Sequence, residues 1–330
     1  MMNRRQFIQT SGGAALSAGV FAACRSAAQA AREPTPVILA TDIGDDIDDT
    51  WALGFLLKSP ELKLELVATE YGKAPYRAKL IAKFLEQTGH AGIPIAVGPD
   101  AEPGGEGALA EWVKNYDLHS YPGRVHVDGV GAIIQVIMSS PRPVTLICIG
   151  PMPNVAAALE REPRIAQRAR LVGMDGSVRL GYGGSKTPEA EWNVKANPGA
   201  AQKVLAANLD TTITPLDTCG LVTLEGARYQ RILQARDPVP ATIVENYHLW
   251  SKAGNKAPEA EQRSSVLFDT VAVYLAFDQH LCQMERLGIR VTDGGLTVID
   301  DKAKSMNVAT AWKDLDGFRD LLVNRLCGPG

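Results

Sequence analysis

Excess positive charge is the first thing the sequence lacks. Thirty-four lysines and arginines face 37 aspartates and glutamates in 330 residues, a formal charge of −3. Without a basic footprint, nucleic acid is excluded as an expected partner. Cysteine is also scarce, at five residues. Cys148, Cys219, Cys282 and Cys327 are widely spaced, with no CxxC and no Cys/His cluster that would read as a zinc site. Cys148, inside "PVTLICIG", reads as a small buried apolar residue. No internal repeat or low-complexity tract is present. The N-terminal apolar stretch is too short and too rich in small residues to span a bilayer.

What is present suits a soluble α/β globule. Apolar residues make up 45% of the chain and charged residues 22%, enough to bury one large core. Residues 1–30, "MMNRRQFIQTSGGAALSAGVFAACRSAAQA", place Arg4 and Arg5 ahead of Phe7, then a weakly apolar stretch, then Ala28-Gln29-Ala30. That pattern predicts a twin-arginine-type signal peptide, export to the periplasm, and a mature chain with no membrane attachment. Lipid attachment at Cys24 ranks second, because Phe21 stands where such signals usually carry leucine. Residues 31–330 are expected to form a single domain.

From residue 36 onward short apolar runs alternate with helical patterns. "PVILAT", "LKLELVATE", "IPIAVG", "PVTLICIG", "ARLVGMDG" and "DTTITPLD" read as strands. "PYRAKLIAKFLEQTG", "GVGAIIQVIMSS", "MPNVAAALEREP" and "NPGAAQKVLAAN" read as the helices between them. The alternation predicts an α/β fold: an open, mostly parallel, Rossmann-like sheet with helices on both faces. Ligands of such sheets sit at the carboxyl ends of the strands. Past residue 225 the pattern turns mostly helical, "IRVTDGGLTVID" reads as a late hairpin, and 251–265 reads as a polar loop.

At the first strand end, "TDIGDDIDDTW" sets Asp42, Asp45, Asp46, Asp48 and Asp49 within eight positions. An EF-hand fails here, since its sixth position would be Ile47 and its twelfth Leu53. A helix N-terminus explains one or two of these acids, but not five. Carboxylates crowded so closely repel, and a hard divalent cation with oxygen ligands relieves the conflict, calcium best of all.

"ILATDIGDDIDDTWAL" resembles the N-terminal signature of the inosine-uridine-preferring nucleoside hydrolases. Further segments resemble that family in order: "VTLICIGPMPNVAAAL", "TPEAEWNVKANPGAA", "LFDTVAVYL" and "IRVTDGGLTVIDD". Together they span Val37 to Leu326. The resemblance implies hydrolysis of the N-glycosidic bond of a ribonucleoside or related ribosyl compound, aided by Ca2+, in a homodimer or homotetramer. It implies that Asp42 is a metal ligand and the general base. Asp49, the carbonyl of Ile149 and Asp269 would complete the protein's share of the metal shell, while Asp48, Glu191 and Asn193 would bind the sugar. The chemistry is coherent, because departure of the base leaves an oxocarbenium-like ribosyl group that nearby carboxylates stabilise.

Each role has a plainer competitor. Asp269 could cap its helix, and Glu191 and Asn193 could be helix-entry residues. The chain also departs from the family's pattern. Ala40 stands where the family has its first aspartate, and the stretch from Asp42 to Asp48-Asp49 is two residues longer. Lys73 and Ser185 stand where sugar-contacting asparagines are expected, and Phe268 where the family has its leaving-group histidine. His248 is a candidate replacement acid, with Tyr247 and Trp250 as stacking partners for a base. A non-catalytic periplasmic binding homologue and a hydrolase of non-nucleoside ribosides are the competing readings.

Overall fold

The apolar runs become strands whose successive side chains enter two different cores. Val37 and Leu39 of the first strand join one buried cluster, while Ile38 and Ala40 join the other. That two-residue alternation, apolar on both sides, is what a strand covered on both faces requires. The computed structural model describes residues 33–99 and 105–329, so the predicted signal segment, with Cys24, lies outside the described residues.

Ten strands form one sheet: β1 (Thr35–Thr41), β2 (Leu62–Thr69), β3 (Ile95–Ala96), β4 (Val125–His126), β5 (Val144–Cys148), β6 (Ala169–Met174), β7 (Asp210–Thr214), β8 (Cys282–Val291), β9 (Thr297–Ile299) and β10 (Ser305–Trp312). Their order is β4-β3-β2-β1-β5-β6-β7-β10-β8-β9. Pairing is parallel from β4 to β10, and antiparallel only where β8 meets β10 and β9. The open, mostly parallel α/β sheet expected from the sequence is therefore the fold.

The helices are α1 (Asp48–Leu57), α2 (Ala74–Gln87), α3 (Ala110–Val113), α4 (Gly129–Ser139), α5 (Pro153–Arg161), α6 (Trp192–Ala196), α7 (Pro198–Ala206), α8 (Gly226–Leu233), α9 (Pro238–Ala253), α10 (Ala257–Ala260), α11 (Thr270–Leu275) and α12 (Leu315–Cys327). Buried residues of α1, α2, α8, α9, α11 and α12 share the core of Val37 and Leu39. Those of α4, α5 and α7 share the core of Ile38 and Ala40. Residues 34–330 make one compact unit. Among the described residues no helix is long and apolar enough to cross a membrane.

Two consequences position the site. The chain winds outward from β1 to β4, then returns to lay β5 beside β1, so the winding reverses between those two strands. A crevice opens at the carboxyl ends of strands where such a reversal occurs. The segment 251–265 differs from the loop expected of it. There α9 continues to Ala253 and α10 follows, fastened by the Tyr229 hydroxyl on the Ala260 carbonyl and by the Tyr247 hydroxyl on the Arg263 carbonyl at 3.0 Å. Its composition is polar because most of its side chains face water.

Candidate active site

β1 ends at buried Thr41, whose hydroxyl donates to Asp49 Oδ1 and accepts from the Ile43 backbone N–H at 3.1 Å. The loop between them therefore folds back on the strand that launched it. Gly44 turns that loop with φ +107°, and a Cβ there would lie 2.4 Å from Leu80 Cδ1. Glycine is the residue that tolerates both constraints. The chain then enters α1 with Asp48 and Asp49 in its first turn, where the helix dipole favours negative charge.

A buried cation fixes the loop from behind. Arg77, on the inner face of α2, donates to the carbonyls of Asp42, Ile43 (2.9 Å), Gly72 (3.0 Å) and Tyr71 (2.9 Å), and to Asp45 Oδ2 at 2.8 Å. Lys73 Nζ takes the other Asp45 oxygen at 2.7 Å. Asp45 is thus held against two cations, while exposed Asp46 accepts from the Ile47 N–H at 2.7 Å. This answers what the extra acids of the lengthened loop do: one anchors it to α2 and the other sits at its rim. Sequence reasoning missed Arg77, which in "PYRAKLIAKFLEQ" looks like any helix-surface arginine.

The distal acid arrives from the far end of the chain. Asp269 precedes α11, and its backbone N–H donates to Asp48 Oδ2 at 3.3 Å. Its side chain makes no capping bond to the helix, so capping does not explain it. The carboxylates of Asp48, Asp49 and Asp269, all buried, offer oxygens within 4.8 Å of one another. Burial pushes all three well above the usual carboxylate range, and repulsion from neighbouring acids pushes in the same direction: Asp46 and Asp42 on Asp48, Asp42 and Asp48 on Asp49, and Asp48 and Asp49 on Asp269. An all-oxygen donor set of crowded, desolvated carboxylates fits a hard divalent cation. Asp48, expected to face the sugar, belongs to this trio. Asp42 stands outside it while lining the same cavity.

Asp42 is buried against the β5 turn. A Cβ on Gly150 would lie 2.6 Å from Asp42 Oδ1, so only glycine leaves room for the carboxylate next to Ile149. Burial lifts the Asp42 pKa to about 6, against the opposing pull of Arg77. Glu191 does double duty. It accepts from the N–H groups of Gly176 (2.9 Å), Asn193 (2.7 Å) and Val194 (3.3 Å), capping α6, and burial lifts its pKa to about 7. Asn193 Nδ2 donates to the Met174 carbonyl at 2.9 Å.

All five loop aspartates, Ile149, Glu191, Asn193, Phe268 and Asp269 line one cavity of about 320 Å³. Tyr182, Trp192, Trp250 and Met174 complete its wall. Four sequence-predicted residues are not part of that wall: Tyr247, buried with its ring stacked on Trp250, and three polar residues. Lys73 is turned to Asp45, Ser185 is exposed in the turn after Gly184, and His248 on α9 faces Glu261 at 3.7 Å. Tyr182 and Trp192 were missed in the sequence, since an aromatic in a three-residue turn or at the first position of a five-residue helix carries no periodic signal.

Residues 37–320 match the family model described as inosine-uridine preferring nucleoside hydrolase. A pyrimidine-specific ribonucleoside hydrolase RihA of Enterobacter sp. (strain 638) is 29% identical, covering 88% of this chain and 97% of that protein. The inosine-uridine preferring nucleoside hydrolase of Leishmania major is 28% identical over 89% and 98%. Among solved structures, the purine-preferring ribonucleoside hydrolase from Gardnerella vaginalis superposes with TM-score 0.74 at 22% identity, covering 89% of this chain and 98% of that one. The plant nucleoside hydrolase PpNRh1 gives TM-score 0.73 at 24% identity, over 90% and 100%.

Proposed function

The chain belongs to the inosine-uridine preferring nucleoside hydrolase family and is an N-glycosyl hydrolase, and from that premise we propose a calcium-assisted ribohydrolase in which Asp42 is the general base. The observation that carries the proposal is the convergence of the buried Asp48, Asp49 and Asp269 carboxylates on one point of the cavity that Asp42 and Glu191 also line.

Asp48, Asp49 and Asp269 would hold the ion, with the Ile149 carbonyl beside them at the end of β5. A bound calcium ion supplies positive charge that offsets these carboxylates and acidifies an adjacent water. Asp42, ionised above about pH 6, takes the proton from the water that attacks C1′. Its backbone is pinned by Arg77, so the carboxylate is already placed before substrate arrives. Glu191 and Asn193, at the start of α6, would receive the ribose hydroxyls. The surrounding carboxylates stabilise positive charge as it develops on the ribosyl ring. We carry the export of the mature chain to the periplasm, and a homodimer or homotetramer, into the same proposal; the N-terminal pattern supports the first and the family resemblance the second.

Ribose release from a panel of nucleosides tests the role of Asp42. Asp42→Asn is expected to lower kcat by a factor of about 10²–10⁴ while calcium binding, read by calorimetry, persists. In the wild type kcat/KM should rise along an acid limb at or below about pH 6, since a bound cation only moves the base's pKa down. Unchanged kcat in Asp42→Asn would refute the assignment.

A further inference from the structure

Charge of one sign surrounds this cavity. Seven carboxylates line it, those of the first loop together with Glu191 and Asp269, and no lysine, arginine or histidine among the described residues does. Arg77 and Lys73 pair with Asp45, and even with the pull of Arg77 on Asp42 and Asp49 a divalent ion still leaves the seven-carboxylate wall negative.

Aromatic rings share that lining. Trp192 is 51% exposed and Tyr182 40% exposed, and both line the cavity. Phe268 meets Tyr182 edge-on, with centroids 6.1 Å apart at 80°. Trp250 is already occupied, with Lys256 Nζ 5.1 Å from its centroid and the Tyr247 ring stacked on it. The open ring faces therefore belong to Trp192 and Tyr182. The wall is also poor in proton donors. Phe268 has none, Glu191 is fixed by three backbone N–H groups at the α6 entry that the ribose hydroxyls would occupy, and burial pushes the Tyr182 hydroxyl above its ordinary range.

We propose that the leaving group this site favours is already positively charged: the ring nitrogen of an N-ribosylpyridinium or of an N7-alkylated purine riboside. This rests on the ribohydrolase reading above. Electron-rich ring faces and an anionic wall attract such a cation. The C1′–N bond breaks with its electron pair going to the ring nitrogen, whose charge it cancels, so the base departs neutral without a proton. The water oxygen bonds to C1′, one water proton passes to Asp42 and then to solvent, and ribose results. A neutral nucleoside, by contrast, forfeits the factor of about 10²–10⁴ that a positioned acid contributes.

The test is kcat/KM of the calcium-loaded wild type on N-ribosylnicotinamide and 7-methylguanosine, against guanosine, inosine, uridine and the neutral, activated p-nitrophenyl riboside. The proposal expects both cations to exceed guanosine by at least about 10²-fold and also to exceed the p-nitrophenyl riboside. In Trp192→Ala the cationic advantage should shrink, and the 1-methylnicotinamide cation should bind the wild type more tightly than neutral nicotinamide. Neutral nucleosides turned over as fast as the cations would overturn the proposal and leave the ribohydrolase reading intact, as would a p-nitrophenyl riboside faster than either cation. No turnover of any riboside would overturn both.

Discussion

Arg77 shows most clearly how single residues set this site. It is buried, and its guanidinium satisfies four backbone carbonyls and one carboxylate, all within the loop or the turn preceding α2. Removing it leaves four carbonyls without that donor and Asp45 with Lys73 as its remaining cation, which is expected to cost about 3–5 kcal/mol. Arg77→Met is therefore expected to lower the unfolding free energy in urea by about that amount. Arg77→Lys should recover little, because an ammonium cannot reproduce a planar fork serving several acceptors. A loss below about 1 kcal/mol would show that the loop holds itself. The acids of the loop were legible because five in eight positions is too many for a helix entry. Arg77 was not, since nothing in the residues around it reveals that its helix face is buried against that loop. Lys73 was legible as unusual but not as a partner of Asp45, because only folding brings residues 28 apart in sequence to 2.7 Å.

At the scale of elements, α6 and α11 begin at the same cavity with acids of different duty. Glu191 caps α6 through three N–H groups, whereas Asp269 makes no capping bond to α11. In chelator, Glu191→Ala is expected to destabilise the protein by about 1–3 kcal/mol, the loss of a cap and of buried partners. Asp269→Ala in the same buffer should cost little or be stabilising, since it relieves repulsion with Asp48 and Asp49. Urea denaturation of the two variants separates these roles, and equal losses would contradict the distinction. The central strands and their helices were readable because strands buried on both faces give continuous apolar runs flanked by amphipathic helices. β3 was legible in "IPIAVG", although only two of its residues pair as strand, whereas the two-residue β4 is too short to carry a period and 251–265 hides two helical turns beneath a polar composition.

For the whole molecule, the decisive fact is topological. The winding reverses between β1 and β5, and the crevice there receives the β1 loop, the turn after β5, the entry to α6 and the start of α11. Asp48 and Asp269 lie 221 positions apart, yet the backbone of one bonds the carboxylate of the other. Such convergence is legible in a sequence only through an ordered set of motifs spanning the chain. What stayed out of reach was the orientation within the set: Asp48 joining the trio, and Ser185 and His248 lying off the cavity wall. On the function proposed above, this convergence makes ribose release depend on a divalent ion. The most direct test of that dependence is ribose release by protein stripped with chelator and then titrated with calcium. Negligible release is expected from the stripped protein and recovery as calcium is restored, with no recovery in Asp269→Ala; full activity in the presence of chelator would refute metal dependence.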